Sequence, residues 1–343
     1  MATEKRIKIL TESEVEEFYS PPPLTTNDQR FFFALDERER LICKRVRQRR
    51  TRCMLALLLG YFKAKPVVLI PRYHQLKIDL KYISQGVFPG AGFAPFTLDQ
   101  KEKDRIYSRI FELTGYKSWS SSAQLPSLLD YLISEAQAWL APRHLFDSTI
   151  EYLSQHKIAI PAYSTLQKII SQVTNKEQAR LNNTINEAIS GELRHTITKL
   201  FCDNAELSLS QLRQSAKNFS KTELDKELAV HHYLQPWIEE VNAVLDEVDL
   251  SQKNLHYFAG RIDYYGAKLK LHTEGNQQLY LLCYLHFRWH QALERIADSF
   301  VHHIRQVNQK AKAYAQDAVY EDWQKASKNV SKAADVLQLF IDD

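Results

Sequence analysis

One apolar pattern near the end of this 343-residue chain constrains its fold more than any other feature. From Gln278 to about Lys325, apolar residues recur at intervals of three and four, which is the spacing of one face of an α-helix. At about 1.5 Å per residue, an unbroken helix of this length would reach roughly 70 Å. A single compact domain does not contain such an element, so we expect it to bridge domains or to meet another chain. The positions that carry the pattern are Leu282, Leu285, Trp289, Leu293, Ile296, Phe300, Ile304 and Val307.

Glycine is scarce in this chain, which has nine glycines in 343 residues. Average usage is about 7%, and tight hairpin turns concentrate glycine. The segment Val67–Ile70 could form a brief strand, but one run of four residues cannot make a sheet alone. The sequence therefore predicts an all-α protein with tandem small helix-turn-helix bundles, followed by a long-helix linker or scaffold region.

Start and stop signals divide the first half of the chain into short helices. Thr11 and Glu14 have the spacing of a capping box, which opens a helix that ends near Tyr19. A helix over about residues 146–155 is followed by a proline-bounded turn and a second helix, for which we predict Ser164 as the N-cap. Further helices are predicted at about residues 36–46, 49–62, 73–82 and 100–115, and over about residues 175–201 with an interruption at Gly191.

Basic residues are concentrated between Arg38 and Lys81, where thirteen Lys and Arg face only two acids. The densest part runs from Arg45 to Arg52 and leads directly into the apolar stretch 54–62, so these arginines lie at the start of a buried helix. Several cations on a rigid element suit DNA phosphates, because such contacts release counterions and fix register. The alternative is a merely solvated charged face, which is disfavoured because acids do not alternate with the arginines.

The two halves of the chain differ in charge. Residues 1–175 carry 25 Lys and Arg against 18 Asp and Glu, whereas residues 176–343 carry 20 against 23. A polyanion is attracted by the positive half, so we assign its binding to the first half of the chain.

No residue pattern in the sequence predicts a catalytic centre, and we expect no cofactor in this chain. His286 and His290 lie four residues apart, but they lack the third ligand that a zinc site needs. No nucleotide-binding glycine loop or nucleophile elbow is present. The cysteines have no CxxC spacing, which favours reduced, buried thiols in a cytoplasmic protein with no membrane span. These cysteines are Cys43, Cys53, Cys202 and Cys283.

Seven segments along the chain occur in the same order as in a known protein family. They are Leu10–Glu12, Phe18–Pro23, Arg30–Leu35, Leu55–Lys65, Ile158–Leu166, Tyr280–Arg288 and Ala333–Asp343. In this order they resemble the N-terminal region of the large replicative transposases of the Tn-three family. The resemblance covers nearly the whole chain, which makes it more specific than any single motif.

The resemblance implies a function and a domain organisation. Members of this family bind the terminal inverted repeats of a transposon and continue, through a dimerisation region, to an RNase-H-like core with three metal-binding acids. We therefore expect this chain to be truncated before that core and to lack the catalytic acids, while the full-length protein could form a homodimer. The expected modules are a first helical DNA-binding module (1–117), a second, helix-turn-helix DNA-binding module (118–200) and a long-helix linker or scaffold region (201–343).

The sequence thus predicts sequence-preferring binding of double-stranded DNA by a bacterial protein that is nucleoid-associated when bound. The alternative is a non-catalytic helical interaction scaffold that binds an acidic protein or RNA. Cationic residues predicted to contact the backbone are Arg45, Arg47, Arg49, Arg50, Arg52, Lys63, Lys65, Arg72, Lys77 and Lys117, and one or two of the five arginines from Arg45 to Arg52 are expected to reach guanine edges. Residues predicted to serve a second groove are Tyr163, Ser164, Thr165, Gln167 and Lys168, with Gln167 as the main base reader.

Overall fold

The computed structural model describes residues 7–200 and 207–341. Within these residues the chain forms α-helices joined by short segments and no β-strand, which confirms the predicted all-α class. The first eight helices are α1 (Glu12–Tyr19), α2 (Thr26–Phe32), α3 (Glu37–Lys44), α4 (Arg49–Ala64), α5 (Tyr73–Tyr82), α6 (Gln100–Thr114), α7 (Ser121–Ala138) and α8 (Pro142–Gln155). The next seven are α9 (Tyr163–Ala188), α10 (Gly191–Lys199), α11 (Leu209–Leu212), α12 (Lys221–Leu234), α13 (Ile238–Val248), α14 (Gln252–Tyr265) and α15 (Glu274–Ile341).

Local signals in the sequence account for several helix ends. Thr11 accepts a hydrogen bond from the amide of Glu14, whose carboxylate accepts one from the amide of Thr11, so the predicted capping box is confirmed. The helix predicted over residues 73–82 is α5. Helix α6 ends at Gly115, which adopts the left-handed conformation with φ of 72°.

Three predictions about helix ends were wrong. Helix α9 begins at Tyr163, so Ser164 lies inside its first turn and is not the N-cap; the carbonyl of Ala162 accepts the first bonds instead. The same helix continues through Asn175 without a break, because apolar residues on one face remain buried as far as Ile185. Helix α15 spans 68 residues and is longer at both ends than its apolar pattern indicated.

The chain divides into two compact units. Unit one comprises the residues up to Asn183 together with Leu250–Tyr257, and unit two comprises Thr184–Asp249 with the residues from Phe258 onward. The boundaries of the three modules predicted from the sequence, after residues 117 and 200, stay predictions.

The core of unit one is built around α4. Every residue from Cys53 to Phe62 on this helix is buried, and α2, α3, α5 and α6 pack against it. Gly60 lets the ring of Phe33, the residue after α2, pack directly on α4, since a Cβ at this position would overlap that ring. Tyr61 donates a hydrogen bond to the buried carboxylate of Asp79 at 2.5 Å, so this polar group is satisfied inside the core.

An extended segment in the turn between α8 and α9 joins the early and late helices of unit one. Residues 158–160 are buried, and Ile160 pairs in parallel with Val67 while Ile158 pairs in parallel with Lys117. The amide of Ile160 donates to the carbonyl of Pro66 at 3.0 Å. The turn between α8 and α9 is therefore part of the core and not a free surface loop.

Unit two is fastened by a buried ion pair between α12 and α15. Arg288 and Glu227 each expose 1% of their side chains, and Arg288 Nη1 lies 2.8 Å from Glu227 Oε2. These two atoms are not aligned for a hydrogen bond, so their attraction is mainly electrostatic. The guanidinium also donates to the carbonyls of Leu212 and Gln214 at 2.8 and 3.1 Å, which ties the segment after α11 to α15.

The cysteines of the described residues agree with the sequence prediction. Cys43, Cys53 and Cys283 are buried free thiols, whereas Cys202 lies outside the described residues. Burial raises the pKa of the Cys43 thiol from 9.0 to about 12, so this group stays protonated at neutral pH. Among the described helices, none is both long and apolar enough to cross a membrane.

Candidate nucleic-acid interface

The arginine run lies at the turn between α3 and α4 and in the first turn of α4. Gln48 precedes α4 and makes no side-chain cap, and the first turn contains no acidic residue. Helix N-termini carry partial positive charge, so arginines there are electrostatically unfavourable until an anion approaches. The local structure therefore favours negative charge at this position.

The side chain of Arg49 is bound by backbone carbonyls of unit one. Its guanidinium donates to the carbonyls of Ser84, Phe88 and Ala91, with distances of 3.1 Å to Ser84 and 3.0 Å to Phe88. The same group lies 4.8 Å from the ring centre of Phe93. These contacts fasten the N-terminus of α4 to the segment after α5 and leave this arginine poorly placed to contact a ligand.

Arg52 and Arg50 are also engaged internally. Arg52 donates twice to the carbonyl of Val46, at 2.9 and 3.3 Å, and so fixes the turn that follows α3. Arg50 forms an ion pair of 3.0 Å with Glu102 of α6. Together with Arg49, these residues make the turn between α3 and α4 a well-supported element.

Four cations around this turn remain exposed, and the structure gives their side chains no hydrogen bond or ion pair within the described residues. We call them the turn cations: Arg40, Lys44, Arg45 and Arg47. The sequence predictions included Arg45 and Arg47 but not Arg40 and Lys44. The sequence could have identified these two residues as well, because both belong to the predicted helix that leads into the turn. Lys44 occupies the last turn of that helix, α3.

Of the other predicted cations near α4 and α5, two contact protein groups and two are exposed. Lys63 forms an ion pair of 2.7 Å with Glu39. Lys65 lies 4.2 Å from the ring centre of Phe18, and burial lowers the pKa of its ammonium group. Arg72 and Lys77, by contrast, are exposed. Those two side chains are available to a ligand, whereas Lys63 and Lys65 are held inward.

The predicted second groove contact lies at the N-terminal end of α9, where one face carries the chain's own N-terminal segment. The hydroxyl of Tyr163 accepts hydrogen bonds from the amides of Ile9 and Leu10, at 3.2 and 3.1 Å. Gln167 Nε2 donates to the carbonyl of Ile7 at 2.9 Å. Tyr163 and Gln167 therefore already have polar partners inside unit one, which sequence reasoning did not anticipate.

The adjacent face of α9 is open. Ser164 and Lys168 lie one turn apart and are exposed, and Thr165 is half-buried. The backbone pairing described above brings Lys117 to the turn before this helix, since its amide donates to the carbonyl of Lys157 at 2.7 Å. Both lysine side chains are exposed, so Lys157 adds a cation that the sequence predictions omitted.

No group of three or more His, Cys, Asp and Glu side chains in the described residues is arranged to hold a metal ion. His286 Nδ1 lies 2.8 Å from Asn242 Oδ1, a polar contact between α15 and α13. This histidine therefore takes part in packing unit two.

Comparison with known families identifies a domain inside unit one. Residues 9–173 match a family described as a domain of unknown function, DUF4158, so the chain contains a DUF4158 domain. The matched range includes the turn cations and the first turns of α9. No curated protein matches the chain.

Proposed function

We propose that unit one binds double-stranded DNA with sequence preference, and that the turn cations make the main phosphate contacts. The observation that carries the proposal is the division within the arginine run. Arg49, Arg50 and Arg52 bind protein groups, whereas Arg45 and Arg47 are exposed and unpaired in the described structure. Anchored arginines hold the turn, and the exposed ones present charge from a fixed position.

Rigid presentation matters energetically. A flexible cationic tail loses side-chain and backbone entropy when it binds, whereas a turn already held by hydrogen bonds loses less. The uncapped N-terminus of α4 adds its own partial positive charge at the same place. These features support phosphate binding more strongly than a high count of arginines would alone.

A second contact is proposed at the start of α9. Ser164 and Lys168 project from the open face of this helix, and Lys117 and Lys157 lie at the turn before it. The bond from Gln167 Nε2 to the carbonyl of Ile7 holds this side chain against the N-terminal segment, so base reading by Gln167 is proposed to accompany exchange of that bond for one to DNA. In this proposal Ser164, Thr165 and Lys168 contact the groove of bound DNA. Gln167 joins them when it exchanges its bond to Ile7 for one to a base.

The proposed biological role is recognition of transposon terminal inverted repeats, as the DNA-binding part of a Tn-three family replicative transposase. It is supported by the ordered resemblance of the sequence segments and by the positive charge of the first half. In this proposal the chain itself catalyses no reaction and positions DNA for a catalytic core carried elsewhere in the full-length protein.

The decisive experiment is a titration of the chain with an inverted-repeat duplex and with a scrambled duplex of equal length, at several salt concentrations. Arg45→Ala combined with Arg47→Ala should reduce the slope of log Kobs against log salt by about 1.8, because two phosphate contacts are lost. The matched control is Lys310→Ala combined with Lys312→Ala, which removes two exposed charges from α15. An equal effect of both double variants would show that net charge, and not the turn, controls binding.

Sequence preference has its own test at α9. Lys168→Ala should weaken binding to both duplexes, and Ser164→Ala should mainly reduce the preference for the inverted repeat. Binding of single-stranded RNA or of an acidic protein in place of duplex DNA would favour the alternative scaffold function.

A further inference from the structure

Helix α5 packs one face into the core of unit one and presents a basic face to solvent. Its one acidic residue, Asp79, is buried and accepts hydrogen bonds from Gln29 and Tyr61, so no carboxylate of this helix faces outward. Residues three and four positions apart share a face of an α-helix. The residues with this spacing on the exposed face are His74, Lys77, Ile78 and Lys81.

Ile78 lies at the centre of this face and exposes 77% of its surface. Helix stability does not explain an isoleucine there, because straight-chain polar residues are better helix formers at exposed positions. The neighbouring Lys77 and Lys81 make no side-chain hydrogen bond or ion pair within the described residues. A helix that lies on a membrane needs several apolar residues on its exposed face. One isoleucine between unpaired cations instead fits an anionic ligand with a small apolar feature.

We propose that α5 enters the major groove of bound DNA, where Ile78 contacts the 5-methyl group of a thymine. This inference rests on the proposed DNA binding and adds a residue that distinguishes one base from another. The major groove is about 12 Å wide and admits an α-helix, and the methyl group identifies thymine there. Lys77 and Lys81, on either side of Ile78, contact the phosphates that border the groove.

The position of α5 beside the turn cations supports this arrangement. Arg49, in the first turn of α4, donates to the carbonyl of Ser84, which lies three residues after Lys81. Arg47, one of the turn cations, precedes Arg49 by two residues. The C-terminal end of α5 and the turn between α3 and α4 are therefore neighbours within unit one. One duplex can meet both, so that the turn fixes its register through phosphates while α5 contacts a base edge.

The test compares the inverted-repeat duplex with the same duplex in which deoxyuridine replaces every thymidine. This exchange removes the 5-methyl groups and leaves base pairing unchanged. Burial of one methyl group changes affinity about 4-fold, so the wild-type chain should bind the thymine duplex about 4-fold more tightly. Ile78→Ala should lose this preference. The matched control is Ile70→Ala, which should keep it, since Ile70 is also 66% exposed but lies in the segment before α5.

A second pair of substitutions separates phosphate contacts from base contacts on the same helix. Lys77→Ala combined with Lys81→Ala should weaken binding to both duplexes equally and lower the slope of log Kobs against log salt by about 1.8. The preference for the thymine duplex should remain about 4-fold. These residues and Ile78 are exposed, so circular dichroism should show that all the variants retain the wild-type helix content.

The outcomes distinguish this inference from the proposed function. A wild-type chain without thymine preference, or an equal preference in Ile78→Ala, would overturn the assignment of α5. Salt-dependent binding that is weakened by Arg45→Ala with Arg47→Ala would then still support DNA binding by the turn cations. Failure of the wild-type chain to bind either duplex would overturn both. An Ile78→Ala variant that lost binding to anionic lipid vesicles, with its thymine preference intact, would assign this face to a membrane and overturn the inference.

Discussion

Replacing Arg288 with methionine should destabilise unit two severely. Methionine fills a similar volume, so the main change is loss of the positive charge and its donors. Glu227 would remain buried, with one bond from the amide of Ala216 at 2.6 Å and no cation. Breaking one side of a buried ion pair costs about 3–5 kcal/mol, which lowers the folded-to-unfolded ratio by a factor of roughly a hundred to several thousand.

The assay must resolve one unit from the other, because a chain of two compact units need not unfold in a single transition. Amide hydrogen exchange read on α12 and on the segment after α11 reports unit two directly. A double variant, Arg288→Met with Glu227→Leu, tests the reasoning, since removing both charges should restore at least half of the lost stability. A loss below about 1 kcal/mol in the single variant would refute it, as would a double variant no more stable than the single one.

Three further predictions concern unit one. Gly90→Ala would place a Cβ 2.5 Å from Arg49 Cζ and displace the guanidinium from its carbonyl partners. The free energy of unfolding, measured by urea titration, should fall by about 1.5–3 kcal/mol because charged hydrogen bonds are lost. The control Gly92→Ala should lower it much less, since a Cβ there would have no atom within 4 Å. Tyr163→Phe removes the hydroxyl that accepts hydrogen bonds from the amides of Ile9 and Leu10, so the hydrogen exchange of these two amides should become faster. Unchanged exchange rates would contradict the contact between Tyr163 and the N-terminal segment. The folded Cys43 thiol keeps its proton up to about pH 12, whereas the unfolded thiol loses it near pH 9, so its contribution to stability is full below pH 9 and falls as the pH rises towards 12. Cys43→Ala should flatten the stability curve in that window, and an unchanged slope would argue against the raised pKa.

Local physical chemistry explains which parts of the fold could be predicted. The capping box of α1 and the left-handed glycine after α6 depend on a few neighbouring residues, so they can be read from the sequence. The start of α9 could not be read in this way. Ser164 and Gln167 have capping-box spacing, but Gln167 bonds to Ile7 instead.

The candidate interface was predictable in composition but not in detail. The run from Arg45 to Arg52 identified the positive region, yet nothing in it distinguishes arginines that bind protein carbonyls from exposed ones. Arg49 turns inward because the carbonyls of Ser84 and Phe88 lie within its reach, and these residues are 35 and 39 positions away. Such contacts depend on tertiary packing, which local patterns do not encode.

The N-terminal segment against α9 has a consequence for how the chain folds during synthesis. The amide of Ile7 donates to the hydroxyl of Ser171, 164 residues later, at 3.0 Å. At roughly 5–20 residues per second, the ribosome needs about 8–33 seconds to make the intervening chain. Until then the first residues have no native partner, so unit one cannot be completed from its N-terminus and must close late. Limited proteolysis of ribosome-bound chains should find this segment cleavable until α9 has emerged.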